Sequence, residues 1–234
     1  MKIVIMIMIA TFFFSNAEVY KIGTYKIPKL VDSETEGVFV KIWIEAAKRA
    51  NVDYELVFSA TKRTLQNYAE GQLVGYFPSL LVTIPKDSEM SEEFFYKYTY
   101  AFTKKGSPKI NSISDLKGKK VGLTSGYAFS EELTNNPDII TDYAATNEQN
   151  FKKLSIGRVD VVVSDDKSGP KAIEDAGLTD IEFDKDKPLE IQKVFFAFEK
   201  SDKGRLLNQK ISEALKEMKK DGTYDKILEE LKVK

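Results

Sequence analysis

Two short stretches carry the residues best suited to holding a small charged molecule. The first is Ser125-Gly126-Tyr127. It follows the apolar run Val121 to Leu123 and leads into a segment, Tyr127 to Thr134, that the sequence predicts to be helical. A strand that ends in small residues at a helix N-terminus presents unpaired N–H groups and a partial positive charge, which favours a carboxylate or phosphate. The same arrangement is also an ordinary βα turn, with water or Ser125 satisfying those donors. The stretch lacks the lysine and second glycine of a P-loop and lacks GxGxxG, so nucleotide binding is not supported. The second stretch is Ser164-Asp165, after the valine run Val159 to Val163. Asp165 could meet an ammonium group, or cap the helix that follows, a role for which Asp166 competes.

Three more places follow from the rule that open α/β sheets bind ligands beyond the carboxyl ends of their strands. They are Tyr25 after the first strand, Ser59 to Arg63 after the second and Pro78-Ser79 after the third, beside Phe77. Arg63 could grip a carboxylate through two parallel N–H bonds, or stand as a surface arginine at a helix start. Tyr25 and Phe77 could stack on a ligand or pack in the core. The run Phe94-Phe-Tyr-Lys-Tyr-Thr-Tyr100 reads as strand packing rather than an aromatic cage.

The elements that must position these residues alternate. Val19 to Thr24 is a predicted strand. Val38 to Ala50 has apolar residues at one-face helical spacing, Tyr54 to Phe58 is a strand, Thr64 to Glu70 a helix closed by Gly71, and Leu73 to Phe77 a further apolar run followed by Pro78. This β-α-β-α-β order implies a mostly parallel sheet with helices on its faces. The pattern then restarts with strand 120–123, helix 127–134, strand 139–143, helix 147–155, the valine strand and helix 166–176. Two extended segments, Tyr98 to Thr103 and Ile191 to Phe198, would join the two units. Leu206 to Met218 is a helix broken by Asp221-Gly222-Thr223, with Thr223 a candidate N-cap for a last helix to Leu231 that packs back on the first unit.

Composition narrows the chemistry. The chain of 234 residues has no Cys and no His, and its formal charge is −1 with Lys and Glu interspersed. Disulfides, thiolate zinc sites, thiol nucleophiles and His-dependent triads are therefore excluded, and no basic stripe suggests nucleic acid. Carboxylate acid–base chemistry stays possible. Lys2, the apolar run Ile3 to Ala10 and the small residues Ser15-Asn16-Ala17 read as a secretory signal peptide cleaved after Ala17.

Three stretches resemble a known family: "SISDLKGKKVGLTSGYAFSEEL" at 112–133, "NFKKLSIGRVDVVVSDDKSG" at 150–169, and "LLNQKISEALKEMKKDGTYDKILEEL" at 206–231. They look like the family 3 periplasmic solute-binding proteins of polar amino-acid ABC transporters, with the type II periplasmic-binding-protein fold. The resemblance implies an α/β chain of two lobes, each a mostly parallel sheet with flanking helices, joined by two hinge strands. Lobe one would be 18–101 and 196–234, and lobe two 102–195. It also implies that Gly126-Tyr127-Ala128 takes a ligand carboxylate and that Asp165 takes its ammonium. The chain departs from the family in several places. Tyr127 and Ala128 stand where the family has a hydroxyl residue after the glycine. The family's lobe-one arginine falls, counted from Gly71, on Lys86, which keeps the charge but loses the planar grip. The aromatic-Pro-Pro-aromatic motif is absent after the first strand. A branch with Lys-Arg after the second strand looks closer, and there Arg63 becomes the anchor.

The expectation is an exported, periplasmic, monomeric solute-binding protein without cofactor or metal. It would close on a small polar or zwitterionic ligand and hand it to an inner-membrane ABC permease. The expected ligand contacts are Tyr25, Arg63, Phe77, Ser79, Lys86, Ser125, Gly126, Tyr127 and Asp165. The alternatives are a sensory or degenerate binding module that signals to a membrane partner, a carboxylate-using enzyme on the same fold, and a scaffold with no ligand.

Overall fold

The computed structural model describes residues 18–231, so the expected signal peptide lies outside the described residues. The first unit is β1 (Tyr20–Thr24), α1 (Val38–Arg49), β2 (Tyr54–Phe58), α2 (Thr61–Ala69) and β3 (Gly75–Leu80), followed by the short β4 (Ser88–Met90). A long strand, β5 (Phe95–Lys104), leads to β6 (Lys120–Thr124), α3 (Glu131–Thr134), β7 (Ile140–Ala144), α4 (Asn147–Ser155), β8 (Val161–Asp165), α5 (Ser168–Asp175) and β9 (Ile181–Glu182). A second long strand, β10 (Glu190–Glu199), returns to α6 (Asp202–Asp221) and α7 (Thr223–Leu228).

One mixed, curled sheet runs through both units in the order β2-β1-β3-β10-β5-β8-β6-β7, with β4 paired to β10 and β9 to β5. The trios β2-β1-β3 and β7-β6-β8 are internally parallel, while β10 and β5 are antiparallel to each other and to their outer neighbours. This is the type II periplasmic-binding-protein arrangement expected from the sequence.

Register places the functional region. On one side β3 ends with Leu80 opposite Val194; on the other β8 ends with Asp165 opposite Thr99. Between them β5 and β10 pair with each other, Thr99 to Glu190, Lys97 to Gln192 and Phe95 to Val194. The carboxyl ends of both parallel trios therefore reach the same two-stranded ribbon, 95–99 with 190–194.

The core changes character across that ribbon. On one side α1 and α6 press Val38, Phe39, Ile42, Trp43, Leu207, Ile211 and Leu215 onto the sheet in a single buried cluster with Phe77, Phe94 and Phe196. Trp43 stacks on Phe77 at 5.8 Å and meets Tyr54 edge-on at 5.5 Å, and Phe94 stacks on Phe196 at 4.2 Å. On the other side Val121, Leu123, Val161 and Val163 pack with Phe129 and Leu133 on one face, and Phe102, Phe151, Leu154 and Val162 fill the opposite face. Strands covered on both faces account for the continuous apolar runs in the sequence. Tyr224, Ile227 and Leu228 of α7 lie against the α1 cluster, as expected for the tail.

Several local expectations change. The third strand, expected over 73–77, starts at Gly75 and runs through Pro78 to Leu80. The pairing of β3 with β1 stops at Tyr76, and the ladder with β10 shifts register between Phe195 and Ala197, so a residue without an N–H is tolerated there and Ser79 stays in the strand. Thr223 is not an N-cap. Gly222, at φ 82°, ends α6 and precedes α7; the Thr223 N–H donates to Asp221 Oδ1, and its hydroxyl accepts from Arg49 Nη2. The predicted helix 127–134 shrinks to α3, which begins at Glu131 with Ser130 as its N-cap: the Ser130 hydroxyl accepts the Leu133 N–H at 3.3 Å.

Candidate functional site

The late start of α3 alters the premise of the Gly126 site. Thr124 to Tyr127 forms a β-turn in which the Tyr127 N–H donates to the Thr124 carbonyl at 3.2 Å, with Gly126 at φ 84° in the third position. That position of a type II turn requires positive φ, hence the glycine. No helix dipole stands behind Gly126, and the Tyr127 amide is already bonded. The stretch after the turn is instead tied to the ribbon: Lys97 Nζ donates to the Ala128 carbonyl at 2.9 Å and the Ser130 N–H donates to Glu190 Oε1 at 3.2 Å. Ser125, Gly126 and Tyr127 are left exposed, with Tyr127 at 40%.

A buried network holds the turn from below. Thr124 Oγ1 donates to Asn147 Oδ1 at 2.5 Å and accepts from Asn150 Nδ2 at 3.2 Å. Asn147 Nδ2 reaches the Tyr127 hydroxyl at 3.4 Å. The first turn of α4 therefore orients the ring that the sequence singled out, through two asparagines that sequence reasoning missed.

Asp165 is not the N-cap of α5, which is Lys167; it ends β8 and holds the turn between strand and helix. Its Oδ1 accepts the N–H groups of Lys167 at 3.0 Å and Ser168 at 2.7 Å, which opens α5. Oδ2 carries no hydrogen bond from the described residues, so the carboxylate keeps one oxygen for another partner.

The opposite rim is built at the ends of β1 and β2. Tyr25, Lys26, Phe58, Ser59, Ala60 and Thr61 line a cavity of about 460 Å³. The Tyr25 hydroxyl donates to the Pro78 carbonyl at 2.9 Å; burial pushes its phenol up from the ordinary range, with Tyr76 adding to the effect, so it stays neutral. Ser59 Oγ and the buried Thr64 Oγ1 lie 2.6 Å apart. Helix α2 begins three residues earlier than the sequence suggested, and its N-cap Ala60 offers no side chain to the first amides. Arg63 thereby falls in the first turn, exposed and without an ion pair among the described residues.

Two expected contacts are corrected and a third is remote. Phe77 is fully buried against Trp43 and Phe196, which leaves it no ring face for a ligand. Ser79 is also fully buried and shares a hydrogen bond with the Tyr76 hydroxyl at 3.0 Å. Lys86 is exposed in the turn before β4, past the end of β3.

The ribbon supplies groups the sequence reading passed over. Directly paired residues of an antiparallel ladder share a face, so Lys97, Thr99, Glu190, Gln192 and, across β8, Asp165 all point one way. Glu190 is buried and accepts from Thr99 Oγ1 at 3.4 Å as well as from Ser130. Lys97 lies 5.9 and 5.6 Å from the ring centroids of Tyr127 and Phe129. Burial pulls its ammonium below its ordinary value, opposed by the charges of Asp165 and Glu190.

A long polar face where the strand ends of two α/β units converge is the geometry of a ligand-binding floor, and the comparisons with known proteins agree on the class. The model for "Bacterial extracellular solute-binding proteins, family 3" matches residues 28–231. The chain belongs to that family. The Bacillus subtilis protein named "Probable amino-acid-binding protein YxeM" is 32% identical over 155 residues, which is 63% of this chain and 58% of YxeM. The L-cystine-binding protein TcyA of the same organism is 29% identical over 217 residues, 88% of this chain and 76% of TcyA. The GluR0 ligand-binding core of Nostoc punctiforme, solved with L-glutamate, superposes with a TM-score of 0.67 at 19% identity, over 89% of this chain and 97% of that one, a likeness of fold. Both relatives are named as binding proteins.

Proposed function

We propose that this chain captures a small amino-acid-like ligand outside the cytoplasm and passes it to an inner-membrane ABC permease. The chain acts as a monomer, without cofactor, after removal of residues 1–17. The ligand sits over the ribbon, between a first lobe that carries Tyr25, with Arg63 outside on its rim, and a second that carries Gly126, Tyr127 and Asp165. The separate cores favour placing the lobe crossings within Lys97–Thr99 and Glu190–Gln192, a few residues before the positions 101 and 196 suggested by sequence. Closure is of the hinge type, and the ligand stabilises the closed state only through contacts made to both lobes at once. The observation that carries this reading is the family match across 28–231, joined to relatives named for amino-acid binding.

A thermal-shift screen tests it. A ligand present at 100 times its dissociation constant adds about 2.7 kcal/mol. At least one standard amino acid or small organic acid is expected to raise the melting midpoint of residues 18–234 by several degrees. If amino acids, polyamines and organic acids at millimolar concentration all leave the midpoint unchanged, the reading fails.

A further inference from the structure

Gln192 is the anomaly of the ribbon. Neither its amide nitrogen nor its amide oxygen is exposed, and neither has a hydrogen-bond partner among the described residues. Native proteins seldom leave such groups unpaired, and each instance calls for an explanation. Directly across the ladder stands Lys97, whose three N–H donors have one acceptor, the Ala128 carbonyl, and whose ammonium lies in no ion pair within 4.0 Å among the described residues. An incompletely paired ammonium and an unpaired amide thus sit side by side on the face where the two lobes meet. The nearby acids are otherwise engaged: Glu190 holds Thr99 and Ser130, and Asp165 holds the start of α5.

We infer that Lys97 and Gln192 form the anion subsite of the cleft and bind the carboxylate of the ligand on the ribbon itself. The Lys97 ammonium and the Gln192 amide N–H donate to the two carboxylate oxygens. The free oxygen of Asp165 is left for a cationic group on the same ligand, and the Tyr127 ring for its body. Lys97 has a long flexible stem, so it can leave the Ala128 carbonyl and open the face toward Gln192 as the ligand enters. Arg63, out on the α2 rim, then steers anions without gripping them.

This inference rests on the solute-binding reading, and a chemical double cycle separates the two. Each standard amino acid is compared by calorimetry with its own α-carboxamide, which lacks the negative charge, on wild-type protein, Lys97→Met, Lys97→Arg, Gln192→Leu and Arg63→Gln. A charged donor removed from a carboxylate weakens binding by about 10- to 100-fold. The acid is therefore expected to bind wild type 10- to 100-fold more tightly than its amide. Lys97→Met should erase that preference, Lys97→Arg should keep part of it, and Arg63→Gln should keep nearly all of it. Gln192→Leu should weaken the acid while raising the ligand-free melting midpoint, since it removes two unpaired buried atoms. Circular dichroism identifies any variant that fails to fold, and Lys97→Arg and Gln192→Leu then carry the test. If wild type prefers the acid and the Lys97 variants keep that preference while Arg63→Gln loses it, the ribbon subsite is wrong and the solute-binding reading stands. If wild type binds no member of the panel, the solute-binding reading itself falls.

Discussion

The two rims of the proposed cleft use their polar groups in opposite ways. On the β1–β2 side Arg63 is exposed with no ion pair among the described residues, and the first amides of α2 have no side-chain cap. On the β6–β8 side Thr124, Asn147, Asn150 and Tyr127 form one hydrogen-bonded network, and Asp165 holds the turn into α5. One rim is open and cationic, the other is preorganised. A binding protein gains from that split, because fixed groups cut the ordering cost of complex formation while loosely held charges raise the encounter rate.

The cores beneath the rims differ too, and a core substitution gives the largest expected effect. Trp43→Ala should cost about 3–5 kcal/mol in urea denaturation followed by circular dichroism, since it empties the centre of an aromatic cluster. A loss under about 1 kcal/mol would mean that the α1 side does not depend on ring packing as described. Next comes Asp165→Ala. Loss of its hydrogen bonds to the Lys167 and Ser168 amides should cost about 1 kcal/mol, lowering the ligand-free midpoint by about 2–4 °C. Asp165→Asn keeps an oxygen acceptor and should recover most of that, while still losing affinity for ligands with an ammonium group. Recovery of affinity along with stability would reduce Asp165 to its hold on the turn alone.

Lys97→Met should act in the other direction. Lys97 is a partly buried cation without a close counter-ion, and replacing such a charge with an apolar side chain is neutral to stabilising, by about 1 kcal/mol. The sign in pH agrees. A lysine whose folded pKa lies below its unfolded value binds fewer protons when folded, so its contribution to stability grows as pH rises through the folded value toward 10.5. The groups that face it are Asp165 on β8, Glu190 on β10 and the Tyr127 and Phe129 rings. A lower ligand-free midpoint in Lys97→Met would contradict this picture.

The smallest effect lies far from both rims. Thr223 and then Arg49 hold the Asp221 carboxyl down to about 2. Its contribution to stability is present above the ordinary value of 3.8 and disappears as pH falls through about 2. The urea midpoint of Asp221→Asn should therefore fall less steeply than that of wild type across that acid window; equal slopes would discount the pairing.

Much of the frame was legible because long periodic elements declare themselves. α1 and α4 fall where apolar spacing put them, and the valine run became a strand covered on both faces. The start of α3 was not legible: Tyr127, Ala128 and Phe129 are acceptable helix residues, yet the helix opens only at Glu131 and the stretch before it is bonded to Lys97 and Glu190. Phe77 could not be sorted from sequence, because an aromatic residue at a strand end suits a core and a ligand equally. The ribbon floor did leave a signal. Lys97 and Thr99 alternate with Tyr96, Tyr98 and Tyr100, and Glu190 and Gln192 flank Ile191. What sequence lacks is the register that turns two alternating strands into one polar face beside Asp165.

The central claim is that two halves close on a ligand about this ribbon. The chain has no native cysteine, so Gln66→Cys on α2 and Ala145→Cys before α4 can be spin-labelled uniquely and their separation measured by pulsed electron resonance. With a saturating amount of whichever amino acid raises the melting midpoint, the account predicts a shorter, narrower distance distribution than in the ligand-free protein. An unchanged distribution at saturation would contradict it.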